Sequence, residues 1–112
     1  MDKGIAIIIH SYLKYLQAER IPFVNAYLFG SYAKSKETSI SDIDIALIFN
    51  AENIPDRFEL QAQLLSLATD IDTRIEPHPI NKDDFNTANP FAYEILTSGK
   101  QISMTSKKLF FK

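Results

Sequence analysis

Hydrophobic residues in the first part of the chain recur at the spacing of an α-helix. They fall on one face of the segment, opposite a polar face, and they are Ile5, Ile8, Ile9, Tyr12, Leu13 and Leu16. The pattern predicts a helix over about residues 3–20. Ile21 precedes Pro22, and a residue before proline disfavours helical backbone, so the helix should end there.

Two further helices are predicted in the second half of the chain. One covers about residues 55–69, where a stripe at helical spacing consists of Leu60, Leu64, Leu67 and Ile71. For the other, Asn89 has the character of an N-cap, Pro90 suits the first helical position and Gly99 suits the residue after the helix. These three residues predict a helix of about nine residues.

Short apolar runs predict three strands. Residues 24–29 and 43–49 are apolar enough to be buried, and the second run is rich in β-branched residues. Residues 73–80 form a third extended segment, which contains Pro77 and Pro79. Because proline lacks the N–H that a strand donates to its neighbour, this segment should lie at an edge of the sheet.

The predicted elements follow in the order helix, strand, strand, helix, strand, helix. A chain of 112 residues has room for one core, so we expect a single α+β domain over residues 1–112, with a small sheet and flanking helices. The end of the chain is ambiguous. Its cluster Leu109-Phe110-Phe111 fits either a packed last strand or a patch that binds a partner.

Composition excludes several classes of function. The chain has no cysteine, which excludes a disulfide scaffold, a thiolate zinc site and a cysteine nucleophile. With only two histidines, the chain offers few ligands for a histidine-based zinc site. The start lacks the features of a secretory signal, and no run approaches the ~18 apolar residues of a membrane span. We therefore expect a cytoplasmic protein without a membrane partner.

Charge is distributed unevenly, although the formal net charge is only -2. Residues 42–94 carry three Lys or Arg and eleven Asp or Glu, whereas the segments before and after them are net positive. An acidic middle repels a nucleic-acid backbone, so we expect no direct nucleic-acid partner. Such a segment is better suited to holding metal ions.

Asp42 and Asp44 lie two residues apart at the start of the second predicted strand. Side chains two apart in a strand point to the same face, so the two carboxylates should converge. Like charges this close resist ionisation, and a bound divalent cation such as Mg²⁺ or Mn²⁺ reverses that cost. The alternative is a solvated strand end, with Asp42 capping the preceding loop.

Gly30 and Ser31 follow the first predicted strand. A glycine at a strand end lets backbone N–H groups come close to an anion, as a phosphate cradle requires. An ordinary turn explains the same two residues, and the P-loop pattern is absent. Together, an anion cradle and an acid pair joined by one short loop are what a metal–triphosphate site needs.

The spacing of these residues carries a family resemblance. Gly30-Ser31, ten residues and then Asp42-Ile43-Asp44 resembles the signature of the DNA polymerase β-like nucleotidyltransferases, and LFGSYAKSKETSISDIDIALIF looks like their first hairpin. The resemblance covers about residues 22–102 and implies their α+β fold, an α/β sandwich with a small mixed sheet. Ser35 departs from the glycine that many members have after Ala-Lys. The small size resembles the minimal nucleotidyltransferases, many of which are antitoxins encoded beside HEPN-domain toxins.

The resemblance implies a third carboxylate on the next strand. The candidate is Glu76, which would share a face with Arg74 and His78, and Asp72 at the entrance of the strand is the alternative. The alternative to a catalytic role for Glu76 is a surface ion pair with Arg74. For His78, a structural contact and a substrate contact both stay open. The implied catalytic and metal-binding acids, which would hold two Mg²⁺ ions, are Asp42, Asp44 and Glu76.

Four other residues complete the implied site for ATP. Gly30 and Ser31 would orient the β- and γ-phosphates, and Lys34 would add a positive charge there. Ser41 would position the loop or a phosphate. A plain surface lysine at Lys34 and a simple cap at Ser41 are the alternatives.

The small size of the chain bears on which acceptor receives the nucleotidyl group. A bare catalytic module buries little of a second substrate, so an acceptor hydroxyl presented by a partner protein suits it. The resemblance points the same way, since some minimal nucleotidyltransferases transfer AMP from ATP to a tyrosine of their HEPN toxin. The leading hypothesis is therefore an adenylyltransferase antitoxin. The alternatives are a non-catalytic antitoxin that neutralises its toxin by binding and a nucleotidyltransferase acting on a small molecule or an RNA end.

Overall fold

The structure, a computed structural model, describes residues 3–38, 41–104 and 109–111. Its elements in chain order are α1 (Lys3–Ala18), β1 (Phe23–Phe29), β2 (Ile43–Phe49), α2 (Arg57–Thr69), β3 (Ile75–Asn81), α3 (Pro90–Ser98), β4 (Lys100–Met104) and β5 (Leu109–Phe111). Short 3₁₀ helices occur at Ala51–Asn53 and Lys82–Asp84. None of the helices in the described ranges has the length and apolar character needed to cross a lipid bilayer.

The described strands form one mixed sheet in the order β3-β2-β1-β4-β5. β2 and β3 run parallel, and the other neighbours run antiparallel. The parallel pair needs a crossover connection, which α2 provides. The predicted α+β fold, with a small mixed sheet and flanking helices, is confirmed. Leu109–Phe111 forms the last strand of this sheet, whereas the packing of its side chains lies outside the described part of the structure.

The observed ends of α1 and α2 lie close to the predicted ones. α1 ends at Ala18, and Arg20 just beyond it has a φ of 60°, a left-handed backbone that cannot continue a helix. α2 begins at Arg57 because Asp56 is its N-cap, whose side chain accepts a hydrogen bond from the N–H of Glu59. Local capping therefore sets both boundaries.

α3 has the predicted length and the predicted cap. The Asn89 side chain accepts hydrogen bonds from two backbone N–H groups of the first turn, and Pro90 is the first helical residue. Gly99 lies at the C-cap, where a Cβ would come within 2.5 Å of the carbonyl oxygen of Ile95. Close backbone contact, with φ at -79°, is thus the reason for glycine at this helix end.

β3 lies at an edge of the sheet, as its prolines predicted. The carbonyl oxygens of Pro77 and Pro79 accept hydrogen bonds from α2, at 2.9 Å from Gln61 Nε2 and at 3.1 Å from the Arg57 guanidinium. The prolines offer no N–H and their carbonyls are engaged, so this edge is closed to a further strand.

The two faces of the sheet are covered unequally. α1 and α2 cover one face, where the Tyr12 hydroxyl donates a hydrogen bond to the Leu64 carbonyl at 2.9 Å and ties the two helices together. Burial raises the pKa of Tyr12 well above its ordinary value, so the phenol stays a neutral donor. The opposite face carries a smaller apolar cluster beneath α3, consisting of Phe29, Ala46, Ile48, Ile80 and Ile95.

Candidate functional site

The turn after β1 lies directly against the first strand acid. Phe29 at the end of β1 pairs with Asp44 of β2, and the next residue, Gly30, has a φ of 74°. A Cβ on Gly30 would lie 2.5 Å from Asp44 Oδ2. Two hydrogen bonds tighten the turn, from Lys34 N–H to the Gly30 carbonyl at 3.2 Å and from Lys36 N–H to the Ser31 carbonyl at 2.9 Å. Both the left-handed backbone and the close contact require glycine here.

The three predicted acids lie on, or directly before, two neighbouring strands. Asp42 stands exposed just before β2, and Asp44 lies half-buried within it. Glu76 of β3 is exposed and is paired with Asp44 in the parallel register. Because side chains alternate along a strand, Asp44 and Glu76 occupy the face that α3 covers only in part.

Asp42 and Glu76 interact with each other. A hydrogen bond to Asp42, followed by partial burial and repulsion from the charge of Asp42, raises the pKa of Glu76, and Asp44 adds further repulsion. Asp44 is turned instead towards a different partner, His78. Among the residues that the structure describes, no three His, Cys, Asp or Glu side chains are gathered as they stand into a group that could hold a metal ion.

Asp72 is engaged by an arginine. The Arg74 guanidinium bonds both carboxylate oxygens of Asp72, at 2.9 and 3.1 Å, and the Arg74 N–H adds a further bond at 2.9 Å. These hydrogen bonds hold the pKa of Asp72 below its usual range. Arg74 thus pairs with Asp72, not with Glu76, which leaves Glu76 in contact with Asp42.

His78 joins the acid group to an aromatic cluster. Its Nε2 lies 3.1 Å from Asp44 Oδ1, and its ring centroid lies 5.0 Å from that of Phe29 and 5.9 Å from that of Phe91. Phe29 and Phe91 pack edge to face at 5.4 Å. The Asp44 carboxylate is therefore held between the His78 ring at one oxygen and the Gly30 turn at the other.

Lys34 and Ser41 belong to the loop between β1 and β2. Lys34 Nζ lies 3.1 Å from Glu94 Oε1 of α3, and both side chains are exposed. An exposed pair of this kind contributes little stability, so Lys34 can turn to another anion at low cost. Ser41 Oγ accepts a hydrogen bond from the Thr38 N–H at 2.8 Å, which fits its reading as a loop cap.

Sequence reasoning missed a cleft beside His78. The β3 cleft, as we name it, has a volume of about 390 Å³ and lies where the first turn of α2 and the start of α3 meet the outer strand. Its lining includes Arg57, Phe58, Gln61, His78, Asn89 and Phe91. An available signal was Phe58, an aromatic residue in the otherwise polar first turn of a predicted helix.

Comparison with known proteins assigns the chain to a family. A family model described as polymerase beta, nucleotidyltransferase matches residues 12–108. The chain belongs to the polymerase beta nucleotidyltransferase family. Gly30, Asp42 and Asp44, the residues that carry the resemblance seen in the sequence, all lie within the matched range. No curated protein matches this nucleotidyltransferase.

Solved structures resemble the nucleotidyltransferase over most of its length. A candidate nucleotidyltransferase from Sulfolobus solfataricus superposes with a TM-score of 0.65 at 14% identity, covering 94% of this chain and 85% of that one, and it supports the fold. A toxin–antitoxin structure with AMP-PNP has a TM-score of 0.56 at 28% identity, covering 88% and 75%. A mutant of the MntA-HpeT toxin–antitoxin has a TM-score of 0.54 at 27% identity, covering 87% and 72%.

Proposed function

We propose that this nucleotidyltransferase transfers AMP from ATP to the phenol of a tyrosine on a partner HEPN-domain toxin and thereby acts as an antitoxin. The observation that carries the proposal is the close contact between the Gly30 turn and Asp44, with Glu76 opposite Asp44 on the next strand. A backbone turn suited to phosphates and carboxylates suited to cations thus lie side by side.

Asp42, Asp44 and Glu76 are the residues that would hold Mg²⁺, or Mn²⁺ in its place. Their chemistry fits, because carboxylate oxygens are the ligands these ions prefer and a cation offsets the repulsion that Asp42 and Asp44 exert on Glu76. When bound, Mg²⁺ supplies positive charge that offsets the phosphate charge and lowers the pKa of an acceptor hydroxyl. The family resemblance implies two ions.

The side chains then have separate tasks. Gly30 and Ser31 orient the β- and γ-phosphates, and Lys34 exchanges Glu94 for the phosphate charge. Ser41 holds the loop in place. Glu76 takes the proton of the acceptor hydroxyl, which attacks the α-phosphorus as pyrophosphate departs. Because attack is in line, the acceptor must approach from the side opposite the Gly30 turn.

The antitoxin role is supported by the solved neighbours. Two of them, at 27% and 28% identity, are toxin–antitoxin structures, and one of these contains AMP-PNP, an analogue of ATP.

A non-catalytic antitoxin is the second candidate. It is favoured by one observation: among the described residues, no three acids or histidines form a group ready to hold a metal ion. In that case the chain would neutralise its toxin by contact alone, and the Asp42–Glu76 and Asp44–His78 pairs would serve only the fold.

Mass spectrometry of the toxin decides between the two candidates. The protein is mixed with the toxin encoded beside it, ATP and Mg²⁺, and the toxin is then weighed. We expect a mass gain of one or more AMP groups, located on tyrosine by fragmentation. Asp44→Asn should slow the transfer at least about 100-fold, because it removes one carboxylate charge from the metal-binding group.

Asp83→Asn is the matched control, since Asp83 is exposed in the 3₁₀ helix after β3. It should transfer AMP at the wild-type rate. Tight binding of wild-type protein to the toxin without any mass gain would reject the enzyme in favour of the non-catalytic antitoxin.

A further inference from the structure

The β3 cleft lies next to the proposed nucleotide site but outside it. Across the sheet, the Gly30 turn, Asp44 and His78 follow one another, and the cleft begins at His78 on the outermost strand. In the order of the strands, the Gly30 turn and His78 therefore lie on opposite sides of Asp44. In-line transfer needs the acceptor on the side away from the departing pyrophosphate, which is the side of the cleft.

We propose that the β3 cleft is the acceptor subsite, in which Phe58 and Phe91 hold the phenol ring of a tyrosine presented by a partner polypeptide. The inference rests on the proposed function and specifies which part of the acceptor is recognised. It assigns specificity to residues of α2 and α3 that lie outside the acid and glycine motifs.

The recognition chemistry of the cleft is aromatic. Several of its polar side chains are engaged by the protein's own backbone: Arg57 and Gln61 bond the carbonyls of β3, and Asn89 caps α3. The rings of Phe58, His78 and Phe91 remain to contact an occupant, beside the exposed carboxylate of Asp84. Aromatic rings bind other rings through stacked or edge-to-face contacts, which suit a phenol better than an aliphatic side chain.

Two of the three rings are held in position before anything binds. His78 is fixed by its bond to Asp44, and Phe91 packs edge to face on Phe29. Phe58 differs, because 90% of its side chain is exposed in the first turn of α2. An occupant of the cleft would cover this ring, so Phe58 is the residue whose removal tests the proposal without disturbing the fold.

The first experiment measures binding of a phenol directly. N-acetyl-L-tyrosinamide is titrated into isotope-labelled protein with Mg²⁺ and AMP-PNP, and chemical shifts are followed by NMR. We expect saturable shifts centred on Phe58, His78 and Phe91, with no such response to N-acetyl-L-serinamide or N-acetyl-L-leucinamide. Phe58→Ala should weaken binding about fivefold to tenfold, the effect of losing one aromatic pair.

Ile7→Ala is the matched control, because Ile7 is another exposed apolar side chain, at 59%, but lies on α1. It should leave the titration unchanged. Shifts in the cleft that adenosine produces, and tyrosinamide does not, would overturn the proposal by assigning the cleft to the base of ATP. Self-association of the protein that Phe58→Ala abolishes would overturn it in favour of a second copy.

The second experiment uses the toxin as acceptor. Phe58→Ala should raise the KM for the toxin about fivefold to tenfold while the KM for ATP stays within about twofold of wild type. Transfer with an unchanged KM for the toxin would reject the acceptor subsite while leaving the proposed function in place. Absence of transfer by the wild-type protein would reject the proposed function, and the tyrosinamide titration would still decide whether the cleft binds a phenol.

Discussion

The two faces of the sheet differ in how far helices cover them. On one face, α1 and α2 bury Tyr12, Leu13, Leu16 and Leu64 completely, and the hydroxyl of Tyr12 is satisfied by a carbonyl of the facing helix. On the other face, the nine-residue α3 covers a small apolar cluster and leaves a half-buried or exposed row of polar side chains on β2 and β3.

The difference separates stability from chemistry. Burial of apolar side chains on the closed face supplies most of the hydrophobic stabilisation, since this term scales with the area removed from water. The open face instead brings carboxylates together, where a hydrogen bond to Asp42, partial burial and repulsion from Asp42 raise the pKa of Glu76. Substitutions on the two faces should therefore have effects of different kinds.

The largest loss of stability should come from the closed face. Leu64→Ala removes a fully buried side chain and should lower the free energy of unfolding by about 2–5 kcal/mol, through lost burial and a residual cavity. Urea denaturation measures this loss in the free energy of unfolding. Leu65→Ala, at a neighbouring position that is 45% exposed, should cost less than about 0.5 kcal/mol. Equal losses for the two variants would contradict the assignment of the core to this face.

Gly30→Ala tests the point where the open face meets the backbone. A left-handed φ of 74° and a Cβ 2.5 Å from Asp44 Oδ2 should together cost about 1–2 kcal/mol and displace the Asp44 carboxylate. Calorimetry should show binding of Mg²⁺–AMP-PNP weakened about tenfold or more. Gly99→Ala is the control, since its Cβ meets a backbone oxygen away from the acids. Gly99→Ala should destabilise the protein but leave the affinity of the folded form for Mg²⁺–AMP-PNP within about twofold of wild type. Weakened binding by Gly99→Ala together with unchanged binding by Gly30→Ala would contradict the role of the Gly30 turn.

Glu76→Gln should have the smallest effect on stability, and of opposite sign. Because the folded state raises the pKa of Glu76 above 4.5, its ionised form opposes folding at neutral pH. Removing the charge should raise the melting temperature of the metal-free protein by about 2–3 °C, corresponding to about 0.5 kcal/mol for an exposed group. The gain should be complete above the folded pKa and vanish as the pH falls below about 4.5. Glu52→Gln, exposed after β2, should show no gain. A melting temperature lowered by Glu76→Gln would contradict the unfavourable contribution of the ionised Glu76 carboxylate.

Much of the fold was predictable because its signals are local. The apolar stripes of α1 and α2 and the cap at Asn89 each depend on residues within a few turns of one another, and the structure has those elements within about two residues of the predicted ends. The pattern of the C-terminal segment does not by itself predict its strands. β4 is a strand because it pairs with β1, far away in the chain, and nothing in its own pattern required that partner.

The candidate site divides in the same way. The turn glycine and the common face of Asp42 and Asp44 follow from short-range geometry and could be anticipated. The partner of Arg74 could not be anticipated. It depends on the turn at residues 72–74, which brings the Asp72 carboxylate into contact with both the backbone N–H and the guanidinium of Arg74. The β3 cleft needs three separate elements to meet, so no single segment of sequence encodes it.

Local sequence was sufficient to predict the three helices, the first three strands, the glycine that ends β1 and the side chains that alternate onto one face, since the period of a strand is a property of its own backbone. The pairing of Glu76 with Asp44 and the contact of His78 with the same carboxylate arise from the three-dimensional fold. These contacts depend on the register of two parallel strands joined through α2. That register is set by how the crossover helix packs on the sheet, which is a property of the whole domain.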